Sequence, residues 1–529
     1  MKRFTLSALL LSLALSFFLA GCQSLPELGS VDQNRVDLVN GKARVVDVLS
    51  INDFHGALVE EPKGKNVGAA KLATVVFEAR KANPNTVLVS GGDLYQGSAL
   101  SAITKGAVVN DYLAYLGLVD SAVGNHEFDW GPGNFTTWSR DGKFPFLAAN
   151  IIDKKTGAVA SWAKPYHVVL VGGHKIAIVG FSTMETLTKA KAEFVADYDF
   201  QDPAKTAAKL VPEIIAKEKP ELILAVTHLP SVVDSTDASK ALGMAELNEL
   251  DALTKVAGIN AIVTGHSHNS VAGKLNGIPV VQGYYNGRAL GKLSIAFASD
   301  GSSVITPSYL EPFKTKDKIA EDAGAAKIYA DYNARFGAGL SAKVAVVSGD
   351  LSHAKKANVT PMGKWACDVL KTRYGVQVYV QNGGGLRKGF VAGDAKVSDF
   401  WELMPFDNYT VTFKTSGKVL KEIIANGLDS VDFDNGQFSG VKVKYNPAAK
   451  GAAKILVLTL DDGSVVADDA LYTVGTNDFQ FYGGDKYTMI KPNASAVKET
   501  FEPVRDVLID IASKAGTLVA PSVAGIVTQ

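Results

Sequence analysis

The chain has 529 residues, of which 47% are hydrophobic and 20% charged, a composition typical of globular rather than disordered proteins. At roughly 150 residues per domain, this length predicts two to four folded units. The 54 basic and 54 acidic side chains balance, which excludes the strongly basic surface that binding of long nucleic acid requires. We therefore expect a small ligand and no polymeric nucleic acid as a partner.

The first residues are typical of an exported lipoprotein. MKR is basic, FTLSALLLSLALSFF is an apolar stretch of signal-peptide length, and LAGC places small residues directly before Cys22. LAGC resembles the lipobox of bacterial lipoproteins, which implies a signal peptide over residues 1–21, a lipid anchor on Cys22 and a tether over residues 22–43. Ser24 then favours the outer membrane, facing the periplasm or the cell surface. An uncleaved N-terminal anchor is the alternative, which the shortness of the apolar stretch disfavours.

From residue 44 onward, short β-branched runs alternate with amphipathic stretches. Runs such as ELILAVTH have the length of buried strands, whereas PAKTAAKLVPEIIAKEKP carries apolar residues at helical spacing. This alternation predicts an α/β layered domain over residues 44–312. An Ala-rich stretch from Lys316 to Gly337 predicts a helical linker over residues 313–342. A second α/β domain is predicted over residues 343–529.

Metal-competent side chains follow five of the predicted strands, in the segments SINDFHG, LVSGGD, AVGNHEFD, LAVTH and IVTGHSH. Ligands of open α/β sheets bind at the carboxyl ends of the strands, so we expect these side chains to meet in one crevice. They are Asp53, His55, Asp93, Asn125, His126, Asp129, His228, His266 and His268. Five of the eight histidines lie there, and this clustering predicts a metal centre. A mixture of imidazole and carboxylate suits Zn, Mn, Co or Fe.

The five motifs, in this order, resemble the calcineurin-like metallophosphoesterase pattern, and GNHEFD is particularly similar to the 5′-nucleotidase family, which includes periplasmic nucleotidases with UDP-sugar hydrolase activity. The resemblance covers about residues 44 to 515. It implies a four-layer β-sandwich flanked by helices, followed by a separate α/β substrate-binding domain. It also implies two divalent metal ions. Asp53, His55 and His268 would bind one ion, Asn125, His228 and His266 the other, and Asp93 would bridge them. The bacterial nucleotidase of this family that the chain otherwise resembles most has Gln where His268 stands.

The C-terminal half carries candidate substrate contacts. In QNGGGLRKG, Asn382, Gly384 and Gly385 can bring backbone N–H groups to an anion, and Arg387 can bind phosphate through two hydrogen bonds. Phe406 and Phe479 lie among Pro, Asp, Asn and Gly rather than inside apolar strands. This setting suits rings that are exposed to a flat ligand. The resemblance implies a nucleoside clamp formed by Phe406, Asn408, Phe479 and Asp485. Lys356 stands where the family has a phosphate-binding arginine.

The resemblance implies removal of the 5′-phosphate from nucleotides to give nucleoside and phosphate, with UDP-sugar hydrolysis as a second activity. His126 would stabilise developing charge or protonate the leaving oxygen, Asp129 would orient it, and Glu127 would support the loop. Rotation of the second domain would bring the clamp to the metals. One alternative is a 2′,3′-cyclic-nucleotide phosphodiesterase and 3′-nucleotidase with the same metal core. Another is a non-catalytic, nucleoside-binding surface lipoprotein. The sequence leaves the oligomeric state, base preference and metal identity open.

Overall fold

The computed structural model describes residues 38–61, 66–243, 248–431, 433–523 and 525–528. Cys22 and the predicted signal peptide lie outside these ranges, as does most of the predicted tether. Among the described residues, no helix has the length and apolar character needed to cross a bilayer.

The N-terminal half is built around two large β-sheets. The first has seven strands, in the order Ser303–Leu310, Leu290–Phe297, Val45–Ile51, Thr86–Ser90, Leu118–Ala122, Phe146–Leu147 and Ala163–Lys164. The second has six, in the order Ser270–Leu275, Ile278–Gly283, Ala261–Val263, Leu222–His228, His174–Ser182 and Tyr166–Val171. The central strands of both sheets are parallel, so their carboxyl ends lie at one edge.

The two sheets pack face to face, because alternate residues of each strand point to opposite sides. Val46 and Val48 contact the second sheet through a core shared with Ile176 and Ile178, whereas Leu49 belongs to the core on the outer face. Helices cover both outer faces. Those on the first sheet are Gly68–Ala82, Ala107–Tyr115 and Asn134–Gly142, and those on the second are Pro203–Glu218 and Glu249–Thr254. The four predicted layers, helix, sheet, sheet and helix, are therefore confirmed.

The C-terminal half forms a separate α/β unit with its own cores. A five-stranded sheet has the order Gln437–Ser439, Val378–Gln381, Leu471–Asn477, Tyr409–Ser416 and Ser495–Pro503. Two three-stranded sheets contain Gly393–Lys396, Lys343–Val347 and Thr517–Leu518, and Ile455–Leu460, Val441–Tyr445 and Ile526–Thr528. The longer helices are Pro361–Tyr374, Val397–Leu403, Gly417–Gly427 and Val504–Ala515, and a single turn of helix spans Asp478–Phe481. Two hydrophobic clusters fill the space between these elements.

One long helix, Ala323–Leu340, lies where the sequence predicts a linker. It begins where the Asp322 side chain accepts a hydrogen bond from the N–H of Ala325, a standard N-terminal cap. It is not a free connector. The hydroxyl of Tyr115 donates to Asp322 and that of Tyr332 donates to Asp111, both at 2.8 Å. The helix therefore packs along the first domain before the chain enters the second.

Candidate metal centre and substrate crevice

The predicted metal-binding residues converge at one edge of the two sheets. Each lies at or shortly after the carboxyl end of a strand: Val45–Ile51, Thr86–Ser90, Leu118–Ala122, Leu222–His228 or Ala261–Val263. The side chains fall into groups whose ligand atoms lie within 4.8 Å of one another. The side chains predicted to meet at the strand ends therefore do lie together. The role of each residue at the metal stays a prediction.

One group consists of Asp53, His55 and His268. The Nε2 atoms of the two histidines lie 3.0 Å apart, and Nε2 of His268 is 3.4 Å from Oδ1 of Asp53. The second group consists of Asp93, His228 and His266. Nε2 of His228 lies 3.1 Å from Oδ2 of Asp93 and 3.2 Å from Nδ1 of His266.

Two further contacts join these groups. Nδ1 of His266 is 3.0 Å from Oδ1 of Asn125, which places the amide oxygen in the second group. Asp93 also lies within ligand distance of His55 and His126, so its carboxylate faces both groups, as a bridging ligand requires. The donor set of carboxylates, imidazoles and one amide oxygen fits divalent transition-metal ions.

Hydrogen bonds on the far side of the rings fix three of the histidines. Nδ1 of His55 faces the carbonyl oxygen of Gln96 at 2.9 Å, and Nδ1 of His228 faces that of Gly91 at 2.7 Å. A carbonyl oxygen only accepts, so both rings carry their proton on Nδ1 and present the Nε2 lone pair to the centre. This arrangement is typical of metal-binding histidines.

His266 is held differently, because its Nε2 lies 3.0 Å from a carboxylate oxygen of Glu185 and its Nδ1 faces the centre. Glu185 follows the strand His174–Ser182 in the segment STMET. Sequence reasoning missed it, because that strand end carries no residue of the five motifs. The only available signal was its position at the same edge of the second sheet.

Backbone conformation at the centre is unusual. Asp53, His55, Asp93, His266 and His268 all have left-handed φ values, between 47° and 71°. Such conformations cost of order 1–3 kcal/mol for residues with a Cβ, and they cluster at binding and catalytic sites. The tight turns after the strands therefore hold the side chains in place at some expense of local stability.

His126 lies between the metal-binding groups and the second domain. Its N–H donates to Oδ1 of Asp93, and its Nδ1 is 2.8 Å from Oδ2 of Asp129. Burial lowers the pKa of His126, but the carboxylates of Asp129 and Asp93 outweigh burial and raise it above the usual value. The contact with Asp129 turns Nε2 of the ring toward the crevice, where the ring of Phe406 lies 5.8 Å away.

Glu127 takes no place among the ligand groups. Its carboxylate is fully buried and accepts hydrogen bonds from the backbone N–H groups of Asp93, Leu94 and Gly124. Burial, together with the nearby charge of Asp93, raises the pKa of Glu127 to about 7. The side chain therefore ties the GGD turn to the GNHEFD turn, in keeping with the loop-support role expected for it.

The crevice between the two domains has a volume of about 650 Å³. Its lining includes the predicted clamp residues Phe406, Asn408, Phe479 and Asp485 and the turn residues Asn382, Gly384, Gly385 and Arg387. Both phenyl rings are half-buried. Nδ2 of Asn382 donates to Oδ2 of Asp485 at 2.9 Å, so these two side chains form one polar wall.

Two lysines of the first domain reach across to the second. Nζ of Lys189 lies 3.2 Å from Oδ1 of Asp485, and Nζ of Lys191 lies 3.1 Å from Oδ2 of Asp478. Neither lysine was singled out from the sequence, because an ion pair between distant segments leaves no local pattern. The structure therefore shows the two domains in direct contact beside the predicted clamp residue Asp485.

Two adjacent lysines of the segment SHAKKANVTPMG differ in their contacts. Nζ of Lys356, the predicted phosphate contact, donates to the carbonyl oxygens of Phe433 and Ser430, at 2.7 and 3.2 Å. Lys355, which sequence reasoning missed, has a half-exposed side chain whose nearest carboxylate, Asp434, is 3.8 Å away. Partial burial against the crevice wall and the positive charge of Arg387 lower the pKa of Lys355. Both lysines line the crevice. The ammonium group of Lys356 already donates two hydrogen bonds, so that of Lys355 is the more available to a ligand.

Both halves of the chain are similar to known protein families. The family model described as calcineurin-like phosphoesterase matches residues 46–270, and that of the 5′-nucleotidase C-terminal domain matches residues 341–492. The chain is 27% identical to a 5′-nucleotidase of Vibrio cholerae over 95% of each sequence. It is also 27% identical to protein UshA of Yersinia enterocolitica, over 86% of this chain and 88% of that one.

Among solved structures, a 5′-nucleotidase precursor from Thermus thermophilus has the same fold. It superimposes with a TM-score of 0.78 at 23% identity, covering 92% of this chain and 99% of the other. The family and fold class predicted from the motifs are thus confirmed. Because both domain types occur in this order along one chain, it belongs to the 5′-nucleotidase family of metal-dependent phosphohydrolases.

Proposed function

We propose that this protein removes the 5′-phosphate from nucleotides, releasing nucleoside and inorganic phosphate. One observation carries the proposal: a single crevice contains the metal-competent side chains, His126 and the half-buried rings of Phe406 and Phe479. A phosphoester bond and a flat base can therefore be held at the same time. The names of the relatives from Vibrio cholerae and Thermus thermophilus support the same reaction.

In this proposal, the metal centre holds two divalent ions. Asp53, His55 and His268 would hold one ion, and Asn125, His228 and His266 would hold the other. The carboxylate of Asp93, which faces both groups, would be shared between them. Divalent ions in such a site polarise the phosphoryl group and lower the pKa of water toward neutrality.

Side chains of the protein supply the remaining steps. Phe406 and Phe479 hold the base, while Arg387 and the backbone of Gly384 and Gly385 bind phosphate oxygens. Nε2 of His126 faces the crevice because Asp129 holds Nδ1. The imidazolium places a proton beside the leaving oxygen, and its charge stabilises the negative charge that develops there.

Metal-dependent hydrolysis of a substrate panel tests the proposal. We would express residues 23–529, remove metal with a chelator and add back Zn, Mn, Co or Fe. Phosphate and nucleoside release would then be measured with AMP, 3′-AMP, 2′,3′-cyclic AMP, ATP and UDP-glucose. We expect AMP to be cleaved, and only after metal is restored. Preference for 3′-AMP or the cyclic nucleotide would instead support the alternative function, a 2′,3′-cyclic-nucleotide phosphodiesterase and 3′-nucleotidase. If no substrate were cleaved with any metal, the proposed catalytic function would be contradicted.

We also propose that the protein is a lipoprotein of the cell envelope, anchored through Cys22. The support is the sequence alone, LAGC after an apolar stretch of signal-peptide length. Metabolic labelling with a palmitate analogue, compared between the native chain and Cys22→Ala, tests it. Label on the native chain alone, together with its recovery in the outer-membrane fraction, is the expected result. Equal labelling of both chains would contradict the proposal.

A further inference from the structure

The loop of residues 284–288, YYNGR, wraps around the metal group that contains Asp53. The N–H of Asn286 donates to the carbonyl oxygen of Asp53 at 2.8 Å, and the side chain of Asn52 donates to the carbonyl oxygen of Tyr284 at 2.7 Å. The N–H of Tyr284 donates to the carbonyl oxygen of Asn269 at 3.1 Å. The loop is therefore attached to the turns that carry both Asp53 and His268.

His268 differs from the other three histidines of the centre. A hydrogen bond on the far ring nitrogen orients His55, His228 and His266. For His268, no backbone or side-chain group among the described residues makes such a bond. Its Nε2 faces Asp53 and His55, so Nδ1 points away from the centre. Some other contact has to set the plane of this ring.

That contact is an aromatic stack. The ring of Tyr285 lies nearly parallel to the imidazole of His268, with an angle of 19° between the planes and 4.8 Å between the ring centroids. The guanidinium carbon of Arg288 lies 4.0 Å from the centroid of Tyr285. Nε of Arg288 in turn donates to the side chain of Asn66 at 2.8 Å. A chain of contacts thus runs from the buried side chain of Asn66, through Arg288 and Tyr285, to the imidazole of His268.

We propose that Tyr285 is a positioning residue for the metal ligand His268. The stack replaces the hydrogen bond that orients the other three rings, and Arg288 holds Tyr285 in place. Packing fixes the plane of a ring, whereas a hydrogen bond also fixes its protonation. The ion bound by Asp53, His55 and His268 therefore depends on an aromatic face, and the ion bound through His266 depends on the carboxylate of Glu185.

The inference rests on the metal-binding part of the proposed function and is independent of the substrate. Its test measures metal binding without any nucleotide. Chelator-treated protein is titrated with Co²⁺, the visible absorption of the bound ion is followed, and metal per chain is determined by elemental analysis. Failure of this test would leave the proposed reaction standing, and inactivity toward every nucleotide would not change its outcome.

We expect Tyr285→Ala to weaken one of two Co²⁺ binding steps by about 10- to 100-fold, the usual effect of losing a group that orients a metal ligand. Tyr285→Phe keeps the ring and should bind as the unmodified protein does. Glu185→Gln is the matched control, because it should weaken the other binding step. Unchanged Co²⁺ binding by Tyr285→Ala would overturn the inference.

A double-mutant cycle separates positioning from general damage to the loop. Glutamine has no ring to stack, so in a His268→Gln background the further change Tyr285→Ala should leave Co²⁺ affinity as it is. An equal loss in both backgrounds would overturn the inference. Circular dichroism and the melting temperature in chelator verify that each variant is folded.

Discussion

The two sides of the crevice hold their side chains in different ways. On the metal side, Asp53 and His228 are fully buried, and each ring nitrogen of His228 faces a partner. On the substrate side, Phe406 and Phe479 are half-buried, and Lys355 has 50% of its side chain exposed. Chemistry requires atoms held to within a fraction of an ångström, whereas binding tolerates adjustment. We therefore expect changes on the metal side to alter rate or folding and changes on the substrate side to alter affinity.

The largest effect is expected from His126→Ala, which removes the proposed proton donor of the metal side. The value of kcat for AMP should fall about 10²- to 10⁴-fold, because general acid catalysis contributes that much, while KM changes little. Steady-state kinetics with metal analysis gives the measurement. His167→Ala is the control, since His167 contacts Asp120 outside the crevice. An unchanged kcat in His126→Ala would contradict the assigned role.

Glu127→Ala should lower stability more than any change on the substrate side. It leaves three buried backbone N–H groups without their acceptor, at a cost of about 1–3 kcal/mol each when unsatisfied. The melting temperature in chelator should fall clearly below that of the native chain. Glu193→Ala alters an exposed carboxylate and should leave it unchanged. Equal melting temperatures for both variants would contradict the support role.

Phe479→Ala should weaken nucleotide binding and leave the chemical step intact. Stacking of a base on an aromatic ring contributes about 1–3 kcal/mol, so KM for AMP should rise between about 5- and 150-fold with kcat nearly constant. Phe501, whose side chain is exposed at 71%, offers the control Phe501→Ala. A fall in kcat with constant KM would show that Phe479 acts in the chemical step and would contradict its assignment to nucleotide binding.

The smallest effect concerns the two adjacent lysines. Lys355→Met should raise KM for ATP about 2- to 5-fold, the range of a partly exposed charge contact. Lys356→Met should change it less, because that ammonium group is already bound to two carbonyl oxygens. Competition assays with ATP against labelled AMP compare the two variants directly. A larger effect from Lys356→Met would restore the assignment made from the sequence.

The metal side was predictable because its residues follow strand ends at short, fixed spacing. In SINDFHG or IVTGHSH the end of the strand determines where the turn lies, and the turn carries the candidate ligands. The layered fold followed from the same alternation of strands and helices. The supporting role of Glu127 was also predictable, because the family resemblance gives this carboxylate no part in metal binding or proton transfer.

The rest depends on tertiary contacts that leave no local pattern. Lys355 and Lys356 lie in irregular backbone, where neighbouring side chains can point in unrelated directions. The contact of Glu185 with His266 joins residues 81 positions apart, and that of Lys189 with Asp485 joins residues 296 positions apart. The stack of Tyr285 on His268 requires the position of a loop from another strand pair. Spacing along the chain carries no information about such contacts.

The ion pairs of Lys189 and Lys191 with the second domain have a consequence for solution conditions. If the domains separate to admit or release a ligand, both pairs break and four charges return to water. Dissolved salt stabilises separated charges over paired ones, with a Debye length of about 8 Å at 0.15 M ionic strength. Opening of the crevice therefore becomes easier as ionic strength rises. The protein's affinity for a ligand enclosed in the crevice therefore depends on the ionic strength of the solution as well as on the residues that line the crevice.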